Sequence, residues 1–334
     1  MASTDDFTKA IDLINSAENI LITSHTRPDG DACGSIRAMC DTLEHLGKKA
    51  NPILLSPLAP WYEFLFEGDI PILGNDIPLE QLHAGRFDDC DLVIIIDTNS
   101  YVQLPEFDKW LKAADKKVLV IDHHVTGDAL GDVEVIDTTA AAAGKIIFDL
   151  LKYAKWPITT QLAEALFVAI ATDTGWFKFS NADSRLFRLA AELIDAGVEP
   201  TKIYEKLYHT LSPERMKLMV RMLESLELHF NGRVATQVIM RKDFDETGAT
   251  DRDTENMIDQ CQQIATVRVA ALFVELKDGD FRCSLRSKGN VDVRQIAQTH
   301  GGGGHTMASG VNLPGPIKNA KKLVLDAVEK QLKT

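Results

Sequence analysis

Lysine and arginine are in deficit in this sequence: 36 of them face 49 aspartates and glutamates, a formal net charge of −13 over 334 residues. Long duplex nucleic acid is held chiefly by neutralising phosphates with such side chains, so a whole-surface duplex binder is disfavoured. Small anionic substrates stay open, because a few local cations or bound metals can make one positive pocket in an acidic protein. The five cysteines, Cys33, Cys40, Cys90, Cys261 and Cys283, fall into no paired spacing, which argues against a disulfide framework and against a zinc ribbon. No apolar run approaches the roughly 18–20 residues that span a bilayer. The opening MASTDDFTKAIDLINSAENI is acidic and polar where a secretory signal needs a basic start and an apolar core, so a cytoplasmic, soluble protein with no membrane partner is expected. There is no nucleophile elbow, and the glycine run Gly301–Gly304 lacks the Lys and Ser/Thr ending of a P-loop.

Three short apolar runs dominate the first half: NILITSH (19–25), DLVIIID (91–97) and KKVLVIDHH (116–124). Short, uninterrupted and rich in Ile, Val and Leu, they suit strands of a parallel sheet buried on both faces. Helical patterns surround them: DFTKAIDLINSA before the first, DACGSIRAMCDTLEHLG after it, AAAAGKIIFDLLKYA after the third, then ITTQLAEALFVAIATDTG, LFRLAAELIDAG and PERMKLMVRMLE. An α/β domain with helices on both faces of a parallel sheet is expected over 1–185. Residues 186–224 are expected to form a helical linker. Beyond 225, Asn231-Gly232 and Asp278-Gly279 stand between strand-like runs as hairpin signals, so a smaller mixed α/β domain is expected to 334.

Each of the three runs ends in potential metal ligands, at the strand ends where open α/β sheets bind their ligands. The first passes into HTRPDGDACGS, with His25, Asp29 and Asp31; the second ends at Asp97; the third ends at Asp122, His123 and His124. Asp173 closes a later helix. Taken singly, the Pro28–Asp31 segment reads equally well as a turn, Asp97 as a cap for the next element, and Asp173 as a helix terminus. Their coincidence at converging strand ends points to one site. Carboxylates and imidazoles without thiolates suit manganese or magnesium, with zinc also admitted, and so many carboxylates in one volume call for more than one cation. Two such ions support in-line phosphoryl displacement.

HTRPDGDACGS, VIIIDT, VIDHH, ATDTG and SLRSKGNVDVRQIAQTHGGGGHTMASG together resemble the DHH phosphoesterase family carrying a DHHA1 C-terminal domain, over roughly residues 20–310. The likeness is to the small two-domain members that act as bifunctional oligoribonucleases and phosphoadenosine phosphate phosphatases. It implies two divalent metal ions, usually manganese: one held by His25, Asp29 and Asp97, the other by Asp31, Asp97, His123 and Asp173, with Asp97 as the bridge. It further implies that His124 contacts the scissile phosphate and that Asp122 supports the histidine pair, so that Asp97, His124 and Asp122 form the catalytic group. Arg27 and Ser309 depart from the residues frequent in the family, and neither removes a ligand.

In the last domain Arg282, Arg286, Lys288 and Arg294 form the densest basic cluster, close to the glycine run. Glycines let backbone N–H groups approach a phosphate, and Arg grips it through two donors. The resemblance assigns substrate binding to Arg286, Ser287, Gly303, Gly304 and His305. The implied activity is hydrolysis of short single-stranded RNA to mononucleotides, with removal of the 3′-phosphate from 3′-phosphoadenosine 5′-phosphate. The alternatives are a cyclic or linear dinucleotide phosphodiesterase and a nucleotide sensor without turnover. A homodimer accords with family habit.

Overall fold

The computed structural model describes residues 3–332 apart from 67, 126, 210 and 305. It divides into two compact units, Met1–Thr210 and Leu211–Thr334. Among the described residues of the first, strands β1 (Asn19–Ser24), β2 (Lys49–Pro52), β3 (Leu92–Ile96), β4 (Lys117–Asp122) and β5 (Val133–Ile136) form one all-parallel sheet in the order β2-β1-β3-β4-β5. The three expected strands are its centre; β2 and β5, which carry no comparable apolar run, are its edges. Successive side chains of a strand point to opposite faces. Ile20 and Ile22, Leu92, Ile94 and Ile96, and Leu119 and Ile121 therefore join one core, while Leu21, Val93, Ile95, Val118 and Val120 join the other. A strand covered on both faces needs apolar side chains at every position, hence the uninterrupted runs.

The helices of this unit are α1 (Thr4–Ser16), α2 (Gly30–His45), α3 (Leu79–His83), α4 (Phe107–Ala113), α5 (Ala143–Ala154), α6 (Thr160–Asp173), α7 (Ser184–Asp195) and α8 (Pro200–Tyr208). Leu82, Phe107, Trp110 and Leu111 of α3 and α4 cover one face, and the remaining helices pack on the other. The most extensive of these helix contacts is that of α2 on α6. A Cβ on Gly34 would collide with the Ala165 carbonyl and Ala169, and one on Gly30 with Thr172. Glycine at these positions lets the two backbones approach, with the start of α2 against the end of α6.

In the second unit β6 (Glu227–His229), β7 (Val234–Ile239), β8 (Val269–Glu275), β9 (Phe281–Ser287), β10 (Gly303–Gly304) and β11 (Ala308–Leu313) run in the order β10-β11-β9-β8-β7-β6. The β7–β8 pair is parallel and the others antiparallel. Both expected turns join antiparallel neighbours, with Asn231, Gly232 and Gly279 at positive φ. Helices α9 (Pro213–Glu224), α10 (Arg241–Thr247) and α11 (Asp259–Gln262) cover one face through Met222, Phe244 and Cys261. Helices α12 (Val293–Gln298) and α13 (Ile317–Leu332) cover the other through Val293, Ile296 and Val324.

The stretch expected as a linker, 186–224, is shared between the units. Leu186, Leu193, Ile203 and Leu207 bury in the core of the first, and Leu218 and Met222 in that of the second. Among the described residues all five cysteines are buried free thiols, and no helix is long and apolar enough to cross a membrane.

Candidate metal centre

The three central strands end side by side, and each delivers its last residues to the same C-terminal end of the sheet. His25 follows β1, Asp97 follows β3, and Asp122 ends β4 with His123 and His124 behind it. The close α2–α6 packing brings Asp29 and Asp31, at the start of α2, to Asp173 at the end of α6. Asp97 is in the left-handed region at φ 60°, which a short polar residue tolerates better than most. Its amide remains in the sheet, donating to the Ile121 carbonyl at 2.9 Å.

Hydrogen bonds hold the other groups. The Asp29 carboxylate caps α2, with Oδ1 accepting from the amides of Asp31 (2.9 Å) and Ala32 (3.1 Å). Asp31 is buried, and its oxygens accept from the first amides of α5, Ala143 (2.5 Å) and Gly144 (2.9 Å), and from Ser35 Oγ (3.0 Å). A helix N-terminus thus steadies a carboxylate in the interior. Nδ1 of His25 lies 2.9 Å from the Thr26 carbonyl, leaving Nε2 for the site. Asp122, fully buried, accepts at Oδ1 from the amides of His123 (2.8 Å) and His124 (3.2 Å) and pairs with His124 Nδ1 (2.7 Å). That contact leaves Nε2 of His124, on a half-exposed ring, without a hydrogen-bond partner among the described residues.

The ligand atoms converge around Asp97. Its Oδ2 lies 3.4 Å from His25 Nε2, and its Oδ1 lies 3.3 Å from His123 Nε2. The same His123 nitrogen is 3.8 Å from both Asp31 Oδ2 and Asp173 Oδ2. Three groups form sets able to hold a cation: His25, Asp29 and Asp97; Asp31, His123 and Asp173; and Asp97, His123 and His124. Asp97 belongs to two of them.

This crowding sets the protonation. Burial raises the Asp29 carboxyl above its ordinary value and the Asp97 charge adds to it. Burial raises Asp31 far more, helped by the charges of Asp97 and Asp173. Asp173 is pushed up to about 6 by burial, with His123 pulling the other way. Burial works against the Asp97 charge too, yet His123 and His25 hold its carboxyl below the usual value. Burial alone would lower both imidazoles, but contact with Asp97 raises His25 to about 9 and, with Asp31, His123 to about 10. Protons on the histidines therefore balance the carboxylates.

The residues present fit divalent cations. Asp97 Oδ1 and Asp122 Oδ2 are buried with no hydrogen-bond partner among the described residues, an arrangement costly for a carboxylate unless something else satisfies it. No Lys or Arg pairs with Asp29, Asp31, Asp97 or Asp173 among the described residues. The donors are carboxylate oxygens and imidazole nitrogens, the set that hard and borderline divalent ions take.

Residues 19–170 match the DHH family, N-terminal domain, and residues 231–334 match the DHHA1 domain. The chain belongs to the DHH family of phosphoesterases. A protein from Thermus thermophilus named bifunctional oligoribonuclease and PAP phosphatase NrnA is 28% identical over 94% of this chain and 90% of its own length. A Bacillus subtilis protein of the same name is 28% identical over 92% of this chain and 93% of its own. The crystal structure of an exopolyphosphatase-related protein from Bacteroides fragilis shares the fold, with a TM-score of 0.89 at 23% identity, covering 99% of this chain and 97% of the other.

In the DHHA1 domain the expected binding residues lie on neighbouring strands. Ala308 of β11 pairs with Arg286 of β9, and Gly304 of β10 pairs with Ser309 of β11. Arg286 and Ser287 face opposite ways: Ser287 is buried with Oγ 3.3 Å from the Thr306 carbonyl, while Arg286 Nε lies 3.4 Å from Asp259 Oδ1. His305 lies outside the described residues. The glycine run also has a packing reason, because a Cβ on Gly302 would strike the Gly310 carbonyl and one on Gly304 the Ala308 carbonyl. The expected basic cluster is divided by the sheet. Arg294 rides on α12, beside the core of Phe281, Cys283 and Leu285, and pairs with Asp292 at 3.1 Å, whereas Arg282 and Arg286 point to the opposite face.

Sequence reasoning missed the residues that hold the ligands, above all Ser35 and the Ala143 and Gly144 amides on Asp31. The small residues of TAAAAG were a usable signal, since they permit the start of α5 to come close to another element.

Proposed function

We propose that this protein is a two-metal phosphoesterase that hydrolyses short oligoribonucleotides to mononucleotides and removes the 3′-phosphate from 3′-phosphoadenosine 5′-phosphate. The observation that carries the reading is Asp97, whose two carboxylate oxygens face two different histidines and which is shared between ligand sets. His25, Asp29 and Asp97 hold one ion, and Asp31, Asp97, His123 and Asp173 the other. Manganese suits this mixed imidazole and carboxylate set better than magnesium, which favours all-oxygen surroundings. When bound, two such cations polarise phosphoryl oxygens and make a water acidic enough to attack.

The side chains supply the rest. His124, its Nδ1 committed to Asp122, presents Nε2 to the scissile phosphate. Asp122 keeps that ring and the backbone of both histidines in place and touches no substrate. In the DHHA1 domain Arg286, Ser287, Gly303, Gly304 and His305 bind the remainder of the nucleotide. The substrate preference is supported by the two NrnA proteins, which match this chain over nine-tenths or more of its length.

The test is manganese-dependent hydrolysis of RNA dinucleotides to pentanucleotides, phosphoadenosine phosphate, a cyclic dinucleotide and pyrophosphate, by wild type and by Asp97→Ala. Turnover of short RNA and phosphoadenosine phosphate that vanishes in the variant supports the proposal. Preference for the cyclic dinucleotide transfers the protein to a signalling role, and binding of any substrate without turnover makes it a sensor.

A further inference from the structure

Tyr204 and Tyr208 stand four residues apart on α8 and so share one stripe of the helix, beside the stripe of Ile203 and Leu207 that buries in the core. They remain 39% and 41% exposed. Trp176 meets both edge to face, with ring centroids 5.0 and 5.7 Å away, and the two tyrosine rings lie 4.8 Å apart. Phe167 and Phe177 back Trp176 at 5.9 and 6.3 Å. Rings braced in this way form an aromatic shelf on the first unit. Its open faces belong to neither the core nor the ligand sets.

The backbone is strained where the shelf begins. Gly175, Trp176 and Phe177 follow one another at φ 55°, 61° and 61°, a left-handed run that bulky side chains rarely enter. Such a conformation persists only where its surroundings impose it, and the end of α6 does so here. The Trp176 amide donates to the Ala171 carbonyl at 2.6 Å and the Phe177 amide to Thr174 Oγ1 at 3.1 Å. The run starts two residues after Asp173, so the turn that closes the ligand-bearing helix also sets the Trp176 ring. A second link comes from Tyr62, in the short helix Pro60–Leu65 that packs on both α2 and α8. Burial raises the Tyr62 hydroxyl above its ordinary value, and the neighbouring Asp29 and Tyr208 add to it. The shelf therefore adjoins the metal centre through Asp29 at the start of α2 and Asp173 at the end of α6.

We propose that Tyr204 and Tyr208 stack a base of the nucleotide whose phosphate lies at the metal centre, with Trp176 as their positioning residue. The inference rests on the proposed function and extends it from the phosphate to the base. Every base has a π-face, so such a shelf favours nucleotides over pyrophosphate or base-free sugar phosphates without reading a sequence.

The test uses two substrates that differ only in the base: an adenosine RNA dinucleotide and its counterpart carrying hydrogen in place of each base. The ratio of their kcat/KM values, with manganese and the full-length chain, measures the preference for a base. Damage to folding or to the metals lowers both substrates alike and leaves this ratio unchanged. The expected result is a preference that falls about tenfold in Tyr208→Ala and in Tyr204→Ala, through KM, and is kept in Tyr208→Phe and Tyr204→Phe. Trp176→Leu lowers it as well, and Trp176→Phe restores most of it. An equal loss on both substrates, or a wild type that treats them alike, overturns the shelf. The same pair is titrated by calorimetry in an Asp97→Ala background. If neither is cleaved but binding shows a preference that the alanine variants lose, the proposed reaction falls and the shelf stands. Cleavage of both without preference sinks the shelf alone, and neither cleavage nor a binding preference removes both.

Discussion

The metal centre and the arginine face of β9 each gather charge of one sign, but hold it in different ways. At the centre Asp31 and Asp97 are buried, and backbone amides fix Asp29, Asp31 and Asp122. Arg282 and Arg286 are partly exposed and already rest on Thr254 and Asp259. Buried like charges call for cations and allow little movement, since an unpaired carboxylate in the interior is costly. Half-exposed arginines with weak partners can exchange them for a phosphate at little cost. Under the proposed function, chemistry belongs to the rigid region and selection to the adjustable one, so damage to the first should appear in kcat and damage to the second in KM.

The largest expected effect breaks the centre outright. Asp97→Ala should lower manganese-dependent phosphoesterase activity by at least about 1,000-fold, because both proposed ligand sets lose a member and the cations that would position the reacting phosphate are no longer held. Metal titration by calorimetry should show both high-affinity sites weakened; loss of activity with two intact sites would remove Asp97 from the bridge.

Proton coupling sharpens the same side of the comparison. His25 and His123 are raised to about 9 and about 10, above their unfolded value of 6.5. In the metal-free protein their protonation stabilises the fold fully below about pH 6.5, and this is lost as pH rises through 9–10. A cation must displace these protons, so manganese affinity should climb steadily between pH 6 and 9 with release of about two protons. Calorimetry in buffers of different ionisation enthalpy counts them, and a pH-independent affinity would contradict the contacts with Asp97.

A third change separates holding from touching. Asp122→Asn should cost about 10–100-fold in kcat, because His124 loses the carboxylate that orients its ring, with KM little changed. If KM alone moved, Asp122 would belong to substrate binding. The smallest effect is on the recognition side: Arg286→Ala should raise KM for short RNA by about tenfold and leave metal affinity as it is. A parallel loss of metal would erase the distinction between the two regions.

Much of the first unit was legible from residues in a row. The runs at 19–25, 91–97 and 116–124 announced β1, β3 and β4 because a strand buried on both faces has no polar position to spare. Their terminal His25, Asp97, Asp122, His123 and His124 lie where each run stops. In the second unit Asn231-Gly232 and Asp278-Gly279 marked their turns because Asn231, Gly232 and Gly279 take the positive φ that few other residues accept. Edge strands β2 and β5 were silent: KANP and VEVI bury fewer side chains and carry no pattern strong enough to read.

Side-chain type and strand periodicity are local properties, so the order of residues alone was enough to put carboxylates and imidazoles able to hold a metal at the strand ends. Which ligands meet was left to the packing of distant elements. Asp31 reaches Asp173 because Gly30 and Gly34 let α2 lie close on α6, and its carboxylate is steadied by α5 amides more than a hundred residues away. The same holds for the basic residues near the glycine run, which look like one cluster in the sequence. Pleating sends Arg282 and Arg286 to one face of β9 while α12 carries Arg294 on the other, because neighbours along a chain share a surface only when the element's periodicity puts them there.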